Sequence, residues 1–513
     1  MIGRLIRWIR GTPRASFIAR PALPPDPARA EGRVAMRLGD VLEGPAAARH
    51  RAESGLRREI DGILPGEWPR VDERLRGWRH LDEYAEIPED VVIAPGSAAA
   101  EVLASHGNGL IRAEMVRRLA EQRDGRELRP LLLRARDWVP QVRDAAREAL
   151  RGRVGDDYAV HWARNLALVL WVRGGERGDP ELAERVMELL ASDRAEHRMF
   201  SCLESPERQV RRAAFELLTR HDGPRRFGRV RIALGCRDVG IRRRAAGWVG
   251  TFRQDGQRAL LPLLLADPAP VIRTAGLDVA VHALGPGERD AVLREALLDR
   301  SARVRSAARF HLDAHGPVDA AAFYRERIAE AGLRMPAVIA GLGETGTAAD
   351  ADLVRTCLTD ARPTVRTAAV GAMARLADAQ EVEVFLAALV DPSARVSRRA
   401  AEALRPRIGW VPRAALAPRM AETQPAHVRR NAFRLLASGS RWDSIGWILR
   451  GCAGPDASLA RTAQDHLRGW RDGLNRTAAP PTEEQKSAAR AALHEAGEHV
   501  PPLMRDWLLF VLR

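Results

Sequence analysis

A motif that returns at a near-constant interval constrains a chain severely, because each copy is too small to bury its own apolar face and must stack on the next. This chain carries such a motif: an Asp, often followed by Pro, three variable residues, an apolar residue, an Arg, then Ala and Leu at helical spacing. The clearest copies are DPSARVSRRAAEAL from Asp391, DARPTVRTAAVGAM from Asp360 and DRSARVRSAARFHL from Asp299. Others start at Asp267, Cys236, Ser205 and Asp137, and weaker ones at His106, Thr423 and Gly454. The steps between starts are 31, 68, 31, 31, 32, 61, 31, 32 and 31 residues. The 61-residue step holds a degenerate copy around AVIAGLGETG at 337–346; the 68-residue step spans 151–204, where no register can be set.

Each unit reads as two helices. An apolar segment such as ALLPLLLAD precedes the Asp. The Asp-Pro step ends it and opens the next helix, since Asp accepts from orphan N–H groups and Pro suits a first helical turn. The second helix places apolar and small residues three and four apart, giving one buried stripe. Alanines in it, such as Ala369 and Ala400, let neighbouring helices approach closely, and turns such as GETGTAAD close the unit. No strand alternation competes, and hydrophobic residues at 46% suffice for a large core, so the fold class is all-α.

The pattern D-P-x-x-x-V-R-x-x-A-x-x-A-L resembles HEAT repeats, in the short 31-residue form also seen in phycobilin-lyase-type HEAT repeats, over about residues 96–480. The resemblance implies a right-handed α-solenoid, a superhelix of about eleven or more HEAT-type helix pairs with the second helices lining its concave face. It also implies that the motif arginines, Arg112, Arg143, Arg211, Arg242, Arg273, Arg305, Arg366 and Arg429, ladder with motif aspartates of the same and adjacent repeats. Ser397 and Ala460 stand where the arginine belongs, and Ser205, Cys236 and Thr423 where the aspartate belongs, so the ladder is expected to break there.

The ends differ from the middle. Residues 1–95 carry no registered repeat and read as an N-terminal helical extension, with a proline-rich linker near 20–32 and helical patterns at 33–64 and 68–84 that cap the first repeat. Ile2, Leu5, Ile6 and Ile9 alternate with Arg4, Arg7 and Arg10 in a basic amphipathic segment too short for stable membrane binding. Residues 481–513 end in PPLMRDWLLFVLR, an apolar helix after a proline break, read as the helical cap a solenoid needs. No apolar run approaches the roughly 18 residues of a membrane span. The first residues also lack the apolar stretch of a secretory signal. Cys202, Cys236, Cys357 and Cys452 are far apart with no CxxC pair, which suits apolar filler in a reducing, cytoplasmic compartment.

Motifs that carry chemistry are missing. In HEAGEH, at 494–499, the histidines are five apart, so a helix turns them roughly 140° from each other, and neither HExxH nor HxxEH is met. GLGETG, at 341–346, is expected to be a repeat turn rather than a phosphate loop. The expectation is therefore no catalytic residue, no metal site and no cofactor.

Charge is the more serious signal. Lys+Arg is 82 against 67 Asp+Glu, a formal +15, and Lys486 is the one lysine, a bias that a GC-rich bacterial coding background produces. Residues 201–260 concentrate the excess, with Arg225, Arg226, Arg229, Arg243 and Arg244 among it. Arg212, Arg243, Arg398, Arg399 and Arg430 fall on exposed positions of second helices, hence on the concave face; Trp248 falls on a core position and Trp138 in an inter-helix turn. Nine arginines are thus the candidate binding residues: Arg212, Arg225, Arg226, Arg229, Arg243, Arg244, Arg398, Arg399 and Arg430. The leading expectation is a non-catalytic scaffold or adaptor that holds a protein partner with an acidic surface along that face. The alternative is nucleic-acid binding through the same arginines. A HEAT-fold lyase or DNA glycosylase stands third, on fold analogy alone.

Overall fold

The computed structural model describes residues 29–513 apart from 78–92, 95, 221–224, 329, 331, 333–334, 455 and 474–479. The amphipathic segment at the start, most of the proline-rich stretch and residues 78–84 lie outside the described residues. Among the described residues every regular element is helical. The chain forms two compact units, Met1–Leu263 and Leu264–Arg513. Within each, helix pairs stack on their neighbours in sequence order, the architecture of an all-α solenoid.

In the first unit three helices, Ala30–Glu43, Ala46–Asp61 and Trp68–Arg76, precede the pairs. The pairs are Ala98–Leu103 with Gly109–Ala120, Leu128–Arg134 with Pro140–Arg151, Leu166–Arg173 with Pro180–Ala191, Glu196–Cys202 with Arg208–Leu218, and Arg226–Leu234 with Val239–Val249. The third pair fills the stretch where the sequence showed no register. An extra short helix, Ala159–Arg164, lengthens its first half, and Asp179 caps its second helix by accepting from Leu182 N at 3.0 Å.

The N-terminal helices reach well past the first repeat. Arg57 and Arg129 both bond the buried Glu101, and Arg129 also lies over the Trp68 ring at 4.7 Å. Arg134, buried in the second repeat, bonds Asp72. Gly66 N donates to Glu207 at 2.9 Å, four repeats along.

In the second unit, second helices from Pro270–Ala283 through Ala302–Asp313, Met335–Thr345, Pro363–Leu376 and Ala394–Leu404 to Ala426–Leu436 each pack on the next. GLGETG is not a turn. It lies on Met335–Thr345, up to the residue that follows that helix. A Cβ on Gly341 would sit 2.2 Å from the Tyr324 ring and one on Gly343 2.6 Å from Ala372 Cα, so these glycines serve close helix packing. The chain ends with Glu483–Ala496 and Pro502–Val511; the last helix buries Met504 and Leu508 and leaves Leu503 and Phe510 exposed.

The repeats are tied by arginine. Arg112 donates from Nη1 to the His106 and Gly107 carbonyls, which lie at the start of its own motif, and from Nε and Nη2 to Asp137 of the next, all at 2.8–2.9 Å. Arg211 repeats this with Asp238, Arg273 with Asp299, Arg366 with Asp391 and Arg429 with Asp456. Arg305 instead takes Glu344. Motif aspartates also shape the turn before their own second helices: Oδ1 of Asp137, Asp299, Asp360 and Asp391 accepts the N–H two residues on, that of the residue just before the helix, at 2.7–3.0 Å. The prolines of Asp267-Pro268 and Asp391-Pro392 lie before the helix starts, which fall at Pro270 and Ala394.

The break expected at Cys236 closes: Asp238, two residues on, takes the carboxylate role, as Asp456 does two residues after Gly454, while at Ser205 the Oγ accepts from Glu207 N. Own-repeat contacts of the ladder arginines run to carbonyls rather than carboxylates. Arg143 bonds only the Asp137 carbonyl among its ladder partners, and Arg147 and Arg151 approach Asp179 in its place at 3.5 and 3.4 Å. Ser397 does break the ladder, but it is buried and satisfied by Leu389 O and Asn431. Its absent partner matches Thr423, so arginine and aspartate are lost together.

Arg112→Ala leaves a fully buried Asp137 short of its main counterion and is expected to destabilise the first unit by about 3–5 kcal/mol. Arg398→Ala removes a loose surface pair and should cost less than about 1 kcal/mol. Urea titration followed by circular dichroism checks both; equal shifts would refute the ladder's role.

Acid acts on the same bonds. Arg362 holds the Asp360 carboxyl down to about 2, and Arg211 holds Asp238 below the usual range. Burial opposes ionisation of Asp299 and Asp391, but the bonds from Arg273 and Arg366 outweigh it and lower both. Unfolded aspartates titrate near about 3.9, so this stabilisation is complete above that pH and drains as pH falls toward the folded values. The urea midpoint should fall mainly between about pH 4 and about pH 2; a main loss between about pH 8 and 6 would contradict it.

Candidate functional site

The nine candidate arginines separate onto different surfaces. Arg226 and Arg229 lie on the first helix Arg226–Leu234, with Arg225 at its N-cap; the other six lie on second helices. Arg229 is buried and bonds Asp193, Glu196 and the Leu218 carbonyl, so it is a framework residue closed to a partner. Arg225 is exposed and pairs with Glu196 at 3.1 Å. Arg226 stacks on Trp248 at 3.6 Å. Trp248 is half-buried rather than core, because it lies beside the Ala245–Val249 stripe, not in it.

On the second helices the residue after the motif arginine varies in exposure: Arg243 and Arg398 are exposed, whereas Arg212 and Arg430, and Arg399 beside Arg398, are half-buried rather than on the exposed positions expected of them. Arg212 and Arg243 hold that place in successive repeats of the first unit, as do Arg398 and Arg430 in the second. Helices packed side by side put such equivalent positions about 10 Å apart. Arg212 and Arg243 make no ion pair among the described residues. Arg430 sits close enough to Asp456 to help lower that carboxyl, after burial, Leu459 N and Arg429 have acted on it. Arg244 pairs with Glu216; Arg398 and Arg399 approach Glu402 at 3.6 and 3.0 Å.

Those acids are the residues sequence reading missed. Glu216 and Glu402 stand four residues after Arg212 and Arg398, on the same helix face. Asp278 occupies the matching place after Thr274 and pairs with His311 at 2.9 Å. The signal was present as an i, i+4 acid, but counting arginines alone passes over it. The exposed face is therefore mixed in charge, with uncompensated arginine at Arg212 and Arg243.

Elsewhere, chemistry is sparse. The two histidines of HEAGEH are split by the end of Glu483–Ala496, and Glu495 between them pairs with Arg450. Among the described residues no three His, Cys, Asp or Glu side chains gather as a metal site would require. Trp138 is 47% exposed, as its turn position suggested. All four cysteines are free; Cys236, Cys357 and Cys452 are buried. Burial pushes the Cys202, Cys236 and Cys452 thiols up to about 11.

No family model matches the chain. No curated protein sequence matches it. Among solved structures, it is similar to a chain of the Kap95p complex with RanGDP, at 12% identity and TM-score 0.41, over 94% of this chain and 72% of that one. It is also similar to importin beta in an ammonium sulfate condition, at 12% identity and TM-score 0.36, over 93% and 70%. A chain of the Kap95:Nup1 complex aligns at 13% identity and TM-score 0.32, over 94% and 67%. At these values nothing about partner or activity passes from them to this chain.

Thiols held neutral and out of solvent react slowly. At about pH 8 a water-soluble aromatic disulfide should label the native chain at least about 100-fold more slowly than the urea-unfolded chain. Rapid labelling of Cys236, Cys357 or Cys452 in native protein would contradict the burial.

Proposed function

We propose that this protein is a non-catalytic scaffold whose second-helix face holds a protein partner with an acidic surface. The observation that supports it most is the pair Arg212 and Arg243: one repeat apart on second helices, Arg212 half-buried and Arg243 exposed, and without an ion-pair partner among the described residues. A solenoid offers such a face over many repeats without a catalytic constellation. The formal +15 favours an acidic partner and speeds its encounter.

The acids interleaved with these arginines favour protein over nucleic acid. A phosphate backbone gains affinity by releasing counterions from uncompensated cations in a row. Here Glu216 and Glu402 neutralise Arg244, Arg398 and Arg399 internally. A protein surface with its own mixed charges can match such a pattern, whereas an unbroken polyanion is repelled at each acid. We place the protein in the cytoplasm, a reading the free cysteines support. No helix among the described residues is long and apolar enough to cross a membrane.

Fluorescence anisotropy tests this with a labelled Glu/Asp-rich peptide and with duplex and single-stranded DNA, at about 50 and 200 mM salt. The peptide should bind at the lower salt and lose at least about tenfold in affinity in Arg212→Glu with Arg243→Glu. Tighter DNA binding that falls steeply with salt and vanishes in that variant would overturn this reading in favour of nucleic acid. An unchanged peptide affinity would remove the second-helix face from the account.

A further inference from the structure

The first unit contains a cavity of about 1010 Å³, which reaches the second helices only at Gln209. Its walls come from the N-terminal helix Trp68–Arg76, the turn after Leu128–Arg134, the helix Leu166–Arg173 with its following turn, and Gln209. Two tryptophans, Trp138 and Trp171, line it together with Arg70, Arg76, Arg136 and Arg177. The volume is that of a small-molecule site, and far more than a lone inorganic anion fills.

Its arginines differ from those of the ladder. Arg76 has Asp72 at 2.6 Å. Arg70, Arg136 and Arg177 make no ion pair among the described residues. Arg136 is fixed in place: its Nη1 donates to the Trp171 carbonyl at 3.0 Å, and its guanidinium lies over the Trp171 ring at 4.2 Å. The turn beside it is shaped around it. Gly175 has φ +78, and a Cβ there would lie 2.2 Å from Arg136 Nη2. Burial, then the nearby Arg177, lowers the Arg136 pKa, so the guanidinium is partly desolvated next to a like charge. An anion between them relieves both costs.

The rest of the lining suits the remainder of such a ligand. Glu73 and Glu176 make no ion pair among the described residues, which leaves their carboxylates as acceptors for hydroxyl groups. Trp138, held against Arg112 at 4.3 Å and Arg76 at 4.7 Å, presents a rigid and half-exposed indole. Phosphate acceptors for guanidinium, hydroxyl donors for carboxylate and a planar ring for indole coincide in one class of small molecule.

We propose that this cavity binds a nucleoside phosphate, with its phosphates on Arg70, Arg136 and Arg177, its ribose hydroxyls on Glu73 or Glu176, and its base against Trp138. The site goes beyond the scaffold reading: it meets the second helices only at Gln209, three residues before Arg212, and neither Arg212 nor Arg243 lines it.

Isothermal titration of the full chain with ADP, pyrophosphate and adenosine tests it. ADP should bind, and more tightly than either fragment. Arg177→Glu, in an exposed turn without ion pairs, should weaken ADP and pyrophosphate at least about tenfold and leave the denaturation midpoint unchanged. Arg70→Glu should act in the same direction, and Arg177→Lys should restore part of the affinity. Absence of ADP binding, or ADP affinity indifferent to both charge reversals, overturns the site. Pyrophosphate binding as tightly as ADP overturns the assignment of the base to Trp138.

Discussion

The repeat is held by one arginine that spans two motifs. Its Nη1 bonds carbonyls at the start of its own motif, and its Nε and Nη2 take the carboxylate of the next. That carboxylate also accepts from the N–H of Ser301, the residue immediately before the following second helix. One residue therefore fixes the loop in its own repeat, the spacing to the next repeat and, through the aspartate, where the next helix starts. The charges are taken out of water to do this, at a cost of several kcal/mol per ion if either partner were left alone. The near-constant 31-residue period follows, because a longer or shorter unit would separate two groups that cannot be buried singly.

The breaks obey the same rule. Where the arginine is replaced by Ser397, the aspartate it would have met is replaced by Thr423, and a neutral bond from Asn431 fills the buried space. Where the aspartate slides to Asp238 or Asp456, the arginine before it still reaches the carboxylate, since two residues ahead of the helix span only a few ångströms. Arg143 has no such carboxylate ahead of it, and Asp179 is held instead by arginines one and two turns further along its helix. The geometry that is kept is the ion pair; the sequence position is free to move.

That distinction sets what could be read from residues alone. The helix pairs, their order and most ladder arginines were legible, because apolar period and the Asp-to-Arg spacing are local features. The pair at Leu166–Arg173 and Pro180–Ala191 was hidden by the inserted helix Ala159–Arg164, which shifts the register although Asp179-Pro180 keeps the local signature. GLGETG looked like a turn because glycine ordinarily breaks helices; the reason for these glycines is a ring and a backbone brought up from Tyr324 and Ala372, which no local pattern encodes. The binding face was legible only in part. The positions after the motif arginine range from half-buried at Arg212 and Arg430 to exposed at Arg243 and Arg398, and whether each charge is spent on a neighbouring repeat depends on packing. Arg229, the candidate most deeply enclosed, is the extreme case.

Arginine in this chain thus divides by what surrounds the guanidinium rather than by depth. Arg112 is fully buried yet saturated by two carbonyls and a bidentate carboxylate. Arg134, equally buried, has its charge disfavoured by desolvation, which Asp72 and Asp137 counter. Arg136 is less buried than either, yet its pKa is lowered by burial and by Arg177 with no carboxylate to offset them. Arg136 is held by a carbonyl, an indole and a glycine turn, as Arg441 is by the Trp470 carbonyl, the Trp470 ring and Gly473; what sets Arg136 apart is the like charge of Arg177 beside it. An anion placed between two such like charges gains more than one placed beside a single solvated guanidinium. By the same measure Arg212 and Arg243, without an ion pair among the described residues, have most to gain from a partner, and the paired Arg225, Arg244, Arg398 and Arg399 have the least.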